Sequence, residues 1–187
     1  MCWFLFRRRR SGEWADINGA MASAAPVFEE VLETFTTGES GLLVRPGPDQ
    51  DAGQAKAELE RALSGVPASE VRWEVLIDET DHPWVLVRQS GLAALAVATQ
   101  GIGDALVASG LGARVLAVVY PFRWQDRKIY WIYQPRIKAL TPFAPKDVNL
   151  EEERDHPLEL RMEHAVRREL PTSREVAQWY PIWGMPL

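Results

Sequence analysis

The sequence predicts an α+β fold, a single domain in which helices pack on a sheet of about five mostly antiparallel strands. Three observations lead to this prediction. Segments with the helical spacing of apolar residues alternate with segments in which every second residue is apolar. Two pairs of predicted strands are joined by turn sequences, as in antiparallel hairpins. With 187 residues, 47% of them hydrophobic, the chain can bury one sizeable core.

The first half of the chain predicts a helix, a strand and a shorter helix, in that order. The first helix spans residues 23–35. Its apolar stripe comprises Val27, Val31 and Phe35. The strand covers residues 42–44 and ends at the turn Pro46–Asp49. The short helix covers residues 54–63, after which a glycine and a proline end it.

The next part of the chain predicts a hairpin and a long helix. The hairpin pairs residues 71–77, which alternate between apolar and polar, with residues 84–87, which are continuously apolar as in a central strand. The long helix follows over residues 92–106. Gly101 and Gly103 lie inside it, and we expect them to allow close packing of this helix on the sheet.

A second hairpin and a last helix complete the predicted order. Residues 115–120 and 128–133 form the hairpin, with a turn at 121–127 between them. Residues 134–150 predict a proline-containing connection, and Asp155 then caps the last helix. The order is therefore helix, strand, short helix, hairpin, long helix, hairpin, helix.

This order divides the chain into three segments. Residues 1–22 form an amino-terminal segment that is flexible or interfacial, residues 23–170 the α+β domain, and residues 171–187 an aromatic, proline-containing tail packed on the domain. Two interpretations of the tail stay open. It covers one end of the core, or it binds a partner protein, because Trp and Tyr are favoured in interfaces. The candidate residues for either role are Phe143, Trp179, Tyr180, Pro181 and Trp183.

The distribution of charge argues against nucleic-acid binding. The net charge is -5, and four of the 21 basic residues lie within the first ten positions, which leaves 17 basic and 26 acidic residues in the rest of the chain. Such an acidic body lacks the basic face that nucleic-acid binding requires. Cys2 is the single cysteine, so the chain has no internal disulfide and no cysteine-based zinc site, which fits a reducing, cytoplasmic setting.

The amino terminus, MCWFLFRRRR, combines aromatic residues with a run of arginines. Its charge follows its apolar residues, the reverse of a secretory signal, and it is too short to span a bilayer. As an interfacial segment it would make reversible contact with an anionic membrane at the inner face of the cell membrane. The alternative is a disordered terminus. The candidate membrane contacts are Trp3, Phe4, Phe6, Arg7, Arg8, Arg9 and Arg10.

The sequence offers little catalytic chemistry and predicts no cofactor and no metal site. It contains no glycine-rich phosphate loop and no nucleophile elbow. His156 and His164 lie eight positions apart, too far for a metal-binding pair on a helix, and the acidic run 151–153 is typical of a solvated helix start. One enzyme hypothesis remains, in which a cleft holds Glu79, Asp81 and His82. A turn with polar residues is the favoured interpretation of these three.

Several short motifs resemble those of one protein family. The terminus Gln178–Leu187 is similar to a W-F/Y-P-V-W-G-x-P ending, Pro142–Pro145 to Y-P-F-A-P, and Arg154–Leu160 to R-D-N-x-L-E-L. Ser23–Ala25 and Phe35–Gly38 are similar to its P-S-A-A and F-x-x-T-G segments. On these motifs the chain resembles the PspA-associated protein PspAB family, which is encoded beside the phage-shock membrane-stress protein PspA. The first ten residues depart most from the family's compact start.

The resemblance implies an accessory role around PspA in envelope stress, as a binding protein and not an enzyme. It implies a protein partner, namely a PspA-like coiled-coil protein, and it supplies no catalytic residues. Without the short inserted helix, the element order is also similar to that of the type III secretion chaperone-like (YbjN-like) fold. Two alternatives stay open beside the adaptor hypothesis, a self-associating structural subunit and an enzyme of unrecognised type. The sequence leaves the oligomeric state unknown.

Overall fold

Seven strands of one antiparallel sheet carry the fold in the computed structural model, which describes residues 17–67, 71–146 and 153–187. The strands are β1 Thr34–Thr36, β2 Glu39–Val44, β3 Arg72–Ile77, β4 Pro83–Arg88, β5 Val115–Trp124, β6 Arg127–Gln134 and β7 Ala139–Phe143. Their order is β3-β4-β2-β5-β6-β7, and β1 continues the β2 side of β5. The predicted α+β fold with an antiparallel sheet is confirmed, with two more strands than the five expected.

Four α-helices accompany the sheet in the described part of the chain. They are α1 Ile17–Ser23, α2 Ala52–Leu63, α3 Leu92–Ala108 and α4 His156–Val166. Asp51 caps α2 in a reciprocal capping box with Gln54. Asp155 caps α4 as predicted, because its carboxylate accepts a hydrogen bond of 3.1 Å from the Leu158 N–H.

The first predicted helix differs from the structure. Helix α1 ends at Ser23, a π-helical turn spans Val27–Val31, and Thr34–Thr36 form a strand. Phe35 was expected in the apolar stripe of the helix, but it is 51% exposed in β1. The reason lies in the threonines: β-branched residues favour extended backbone, and β1 gains a partner in β5 that a helix would forgo.

Two prolines inside strands explain why the predicted turn at 121–127 and the connection at 134–150 were too long. Pro121 lies within β5, and its carbonyl accepts a hydrogen bond of 3.2 Å from Thr37, on the side where β2 gives way to β1. The missing N–H faces the same side, so no bond to β6 is lost. Pro142 lies in β7, which takes the edge position where proline is tolerated.

The sheet separates two hydrophobic clusters. The helices and the π-helical turn cover one face, here called the inner face, whose largest buried side chains include Tyr120, Phe122 and Trp131. The opposite face, here called the outer face, consists of Trp84, Leu86, Ala117, Val119, Tyr130, Ile132 and Phe143. Gly103 in α3 is buried, but Gly101 is exposed and a Cβ there would meet nothing within 4 Å, so the predicted close packing was wrong at Gly101.

Candidate functional site

The carboxyl-terminal tail lies across the outer face of the sheet. Its residues Ile182, Trp183, Met185 and Leu187 pack against the outer-face cluster. The Trp183 ring meets the Phe143 ring edge-on, with centroids 4.8 Å apart and planes at 89°. Gly41 makes room for the tail, because a Cβ there would lie 2.9 Å from Leu187 Cδ1 and 3.0 Å from Trp84 Cε3. A segment without α-helix thus covers the outer face of the sheet.

Arg154 joins the tail to α4 and β7. Its Nη1 donates a hydrogen bond of 2.7 Å to the carbonyl of Trp179, and its Nε donates one of 3.0 Å to Glu159 Oε1. The guanidinium also lies 5.8 Å from the centroid of the Phe143 ring. One side chain therefore contacts the tail, the last strand and the last helix.

Glu159 is the buried charge of this site. Its side chain is 0% exposed, and Oε1 accepts hydrogen bonds from Arg154 and from the backbone N–H of Ala144, the latter at 2.9 Å. Oε2 lies 3.0 Å from His156 Nδ1. The Arg154 guanidinium and the backbone N–H of Ala144 compensate the loss of water around this carboxylate. The position in the first turn of α4 also suits a negative charge.

Trp179 fixes the start of the tail. Its ring is buried, and its Nε1 donates a hydrogen bond of 2.9 Å to the carbonyl of Ser173. Pro181 is half-buried, whereas Tyr180 is 64% exposed between them. Among the candidate tail residues, Phe143, Trp179 and Trp183 therefore contact the body of the protein, whereas Tyr180 is largely exposed.

Three of the motifs that carry the family resemblance meet in this one place. Arg154 and Glu159 come from the R-D-x-x-L-E-L segment, Phe143 and Ala144 from P-F-A-P, and Trp179 from the terminal motif. The segments lie far apart in sequence, and their hydrogen bonds bring them together. The sequence analysis selected the aromatic residues but missed Arg154 and Glu159 as partners of the tail. Their presence inside a quoted motif was the available signal.

A second feature lies beside the tail, a cleft of about 560 Å³ with a basic rim. Its lining combines apolar surface with three cations, Arg45, Arg136 and Lys138, and no carboxylate. Tyr180 and Leu116 border it. We call it the basic cleft. The sequence analysis missed it, because its cations come from three separate positions in an acidic chain.

The turn that held the enzyme hypothesis has a structural explanation. Asp78 accepts hydrogen bonds from the backbone N–H groups of Thr80 and His82, from the Thr80 hydroxyl and, at 2.7 Å, from the indole of Trp84. Burial raises the pKa of Asp78, but these hydrogen bonds together lower it by a larger amount. The pKa therefore lies below its usual value. His82 Nδ1 lies 3.0 Å from Thr80 Oγ1, while Glu79 and Asp81 are exposed. Glu79, Asp81 and His82 therefore lie in a turn that Asp78 organises.

The remaining candidates lie apart from one another or outside the described residues. Within residues 17–67, 71–146 and 153–187, no group of His, Cys, Asp and Glu is arranged to hold a metal ion. His164 is exposed on α4, and Glu153 pairs with Lys146. The proposed membrane contacts in residues 1–10 fall outside the described part of the chain. Among the helices that are described, none is long and apolar enough to cross a membrane.

Comparison with known proteins gives one match. The model of the family described as PspA associated protein B matches residues 5–187, nearly the whole chain, which confirms the resemblance seen in the motifs. No curated protein and no solved structure matches the chain.

Proposed function

The chain belongs to the PspA associated protein B family, and from this membership we propose that it is a non-enzymatic adaptor that binds a PspA-like coiled-coil protein. The setting is the envelope-stress, or phage-shock, response. The observation that carries the proposal is the match over residues 5–187, because it includes the tail and the two segments that hold it. The family motifs therefore coincide with a built surface, the tail on the outer face of the sheet.

Two structural observations support a binding role over catalysis. The titratable residues at the β3–β4 turn and around Glu159 have hydrogen-bond partners that stabilise the fold. The tail leaves Tyr180 exposed beside the basic cleft, and a large amphipathic side chain at such a place is typical of interfaces. The chaperone-like character rests on the same surface, a sheet face covered by the tail.

The proposal includes a cytoplasmic location with peripheral contact at the inner face of the membrane. It depends on residues 1–10, where three aromatic residues precede four arginines. Each arginine near an anionic surface contributes about 1 kcal/mol. Co-sedimentation with anionic vesicles tests this, using the full chain and a chain that lacks residues 1–10. Loss of sedimentation on deletion supports the contact, and equal sedimentation of the two chains contradicts it.

The decisive experiment for the adaptor role is direct binding. The full chain and the PspA-like protein encoded in the same genome are purified separately and mixed in analytical ultracentrifugation. We expect a complex that sediments faster than either protein. A mixture whose components sediment independently at concentrations well above the micromolar range contradicts the proposal.

The same experiment separates the adaptor from a self-associating subunit. The chain alone is measured over a wide concentration range before the partner is added. A monomer that associates only with the partner agrees with the adaptor role. A stable oligomer of the chain alone, unchanged by the partner, favours the structural-subunit alternative.

A further inference from the structure

The basic cleft is built by a change of strand register. Leu43 pairs with Ala117 and Val44 pairs with Val115, so Leu116 is the extra residue of a β-bulge in β5. A bulge redirects a side chain away from the regular alternation of the strand. Leu116 is consequently 41% exposed, although its neighbours in the strand are buried. The bulge thus places an apolar side chain at the mouth of the cleft.

The other walls of the basic cleft are formed by residues that lie just beyond the ends of strands or in a short 3-10 helix. Arg45 follows β2, the turn with Arg136 and Lys138 follows β6, and Ala113 belongs to the 3-10 helix Gly112–Arg114. Arg114 braces this region, because its Nε donates a hydrogen bond of 2.8 Å to the Arg45 carbonyl and its Nη1 pairs with Glu58 at 2.6 Å. The cleft is therefore held by backbone and by an ion pair, and its cations remain at the rim.

Two arginines near the sheet have carboxylate partners that the three cations of the cleft lack. Arg88 pairs with Glu39 and Glu74, and Arg127 pairs with Asp155. Within the described ranges, Arg45, Arg136 and Lys138 take part in no ion pair. All three are exposed. An acidic chain with a net charge of -5 thus carries a concave basic surface with apolar side chains at its edge.

From this arrangement we propose that the basic cleft binds an acidic amphipathic segment of a partner protein. Carboxylates of that segment pair with the three cations, and its apolar side chains contact Leu116 and Tyr180. The inference rests on the proposed adaptor function and assigns the surface through which it acts. The concave shape favours a protein segment over a flat bilayer, since a cleft of about 560 Å³ accommodates side chains. Charge complementarity selects an acidic segment.

The first experiment uses a defined probe and not an unknown ligand. The probe is a fluorescein-labelled amphipathic peptide with a leucine face and a glutamate face, and the control peptide has lysine in place of every glutamate. Binding to the full chain is measured by fluorescence anisotropy. We expect the glutamate peptide to bind and the lysine peptide not to bind. Raising the ionic strength from about 0.1 M to about 1 M shortens the Debye length from about 10 Å to about 3 Å and should weaken binding.

The test variant is R45E/R136E, and R123E/K128E is its matched control. Both variants reverse two exposed cations. Arg45 follows β2 and Arg136 lies in the turn after β6, whereas Arg123 in β5 and Lys128 in β6 lie outside the cleft. We expect the test variant to bind the glutamate peptide at least about tenfold more weakly, because it loses two of the three cations that pair with the peptide carboxylates. The control variant should bind within about twofold of wild type. Thermal melts establish that both variants are folded.

The outcomes separate this inference from the proposed function. Equal peptide binding by the two variants overturns the cleft assignment, and so does binding of the lysine peptide as strongly as the glutamate peptide. If the test variant binds anionic vesicles more weakly than wild type but binds the peptide equally well, the cleft contacts a membrane and the inference is wrong. The PspA-like protein is then tested against both variants. Loss only in the test variant supports the inference, and equal binding by both overturns it while the adaptor role stands.

Discussion

The two faces of the sheet are covered in different ways. Helices and a π-helical turn cover the inner face; each helix contributes two or more buried residues to one large cluster, and the turn contributes Phe28. A tail without α-helix covers the outer face, which has seven buried cluster residues and four tail residues packed against them. The inner face is thus stabilised by many interchangeable contacts. The outer face depends on a few specific ones, so single substitutions there should have separable effects.

The difference also concerns polarity. On the inner face the polar groups are few, such as Ser40 and Thr99, whose hydroxyls lie 2.6 Å apart. On the side of the tail, a fully buried glutamate and a largely buried arginine hold the backbone of three segments. Apolar contacts tolerate repacking, whereas a buried ion pair tolerates the loss of neither partner. The largest effects are therefore expected at this ion pair.

Replacing Glu159 should have the largest effect on stability. In E159A, Arg154 loses its carboxylate partner and the Ala144 N–H loses its acceptor. Breaking such a buried pair costs about 3–5 kcal/mol. Urea denaturation at neutral pH measures this loss. E153A is the matched control, because Glu153 forms an exposed ion pair with Lys146 and its loss should cost less than about 1 kcal/mol. A similar cost for both variants would show that Glu159 does not hold the tail side of the fold.

Replacing Trp183 should release the tail with a smaller loss of stability. W183A removes the edge-on contact with Phe143 and part of the cover of the outer face. Because Trp183 is only half-buried, we expect about 2–3 kcal/mol, below the cost of a fully buried tryptophan. Limited proteolysis of residues 179–187 should become faster than in wild type.

Tyr180→Ala is the control for Trp183→Ala, because Tyr180 precedes it in the same tail but is 64% exposed. We expect its stability to stay within about 0.5 kcal/mol of wild type. If W183A and Y180A are equally resistant to proteolysis, the tail does not depend on its contact with Phe143.

Asp78 offers a test at the far edge of the outer face. Its carboxylate accepts the indole N–H of the fully buried Trp84. D78A leaves this donor without a partner, which costs about 1–2 kcal/mol. The effect should depend on pH. Since the folded-state pKa of Asp78 is lowered, the carboxylate stabilises the fold above the unfolded-state pKa of about 3.9, and this contribution disappears as the pH falls through the folded-state pKa.

The measurement for Asp78 compares wild type and D78N by urea denaturation at neutral pH and at acidic pH. The difference in free energy of unfolding should be largest at neutral pH and should shrink below about pH 4. A difference that stays constant over this range means that the charge of Asp78 does not contribute.

Gly101 gives the smallest expected effect and concerns the inner face. It lies exposed in the middle of α3, and a Cβ there would meet nothing within 4 Å. G101A should raise the free energy of unfolding by about 0.5–1 kcal/mol, because alanine loses less conformational freedom in a helix. Proteolysis of the tail should remain as in wild type. A destabilised G101A would indicate that α3 needs glycine at this position.

The inner face was largely predictable from the sequence, and the outer face was not. The sequence patterns identify α2, α3, α4 and five of the strands, because each of these elements buries a regular set of apolar residues. Strand β7 was not predicted because Pro142 within it is typical of a loop, and β1 was not predicted because its register with β5 is not visible locally. The apolar residues of the tail follow neither the helical nor the alternating pattern. Its aromatic residues were recognised, but Arg154 and Glu159 join it through contacts that only the fold brings together.

The same consideration explains why the basic cleft was missing from the sequence analysis. Its leucine is exposed by a β-bulge, which arises from the pairing of β2 and β5 and leaves no sequence signature at Leu116. Its cations are separated by up to 93 positions, from Arg45 to Lys138. The net charge, which follows directly from the sequence, is negative and gives no indication of a basic surface.

The position of the tail in chain order affects how the protein is made. A ribosome adds about 5–20 residues per second, so Trp183 follows Phe143 by several seconds. During that interval the strands of the outer face have been synthesised, while the segment that covers Trp84 and Phe143 has not. Each newly synthesised chain therefore passes through a stage with an uncovered apolar sheet. Nascent chains at that stage are the ones we expect to be most prone to aggregate.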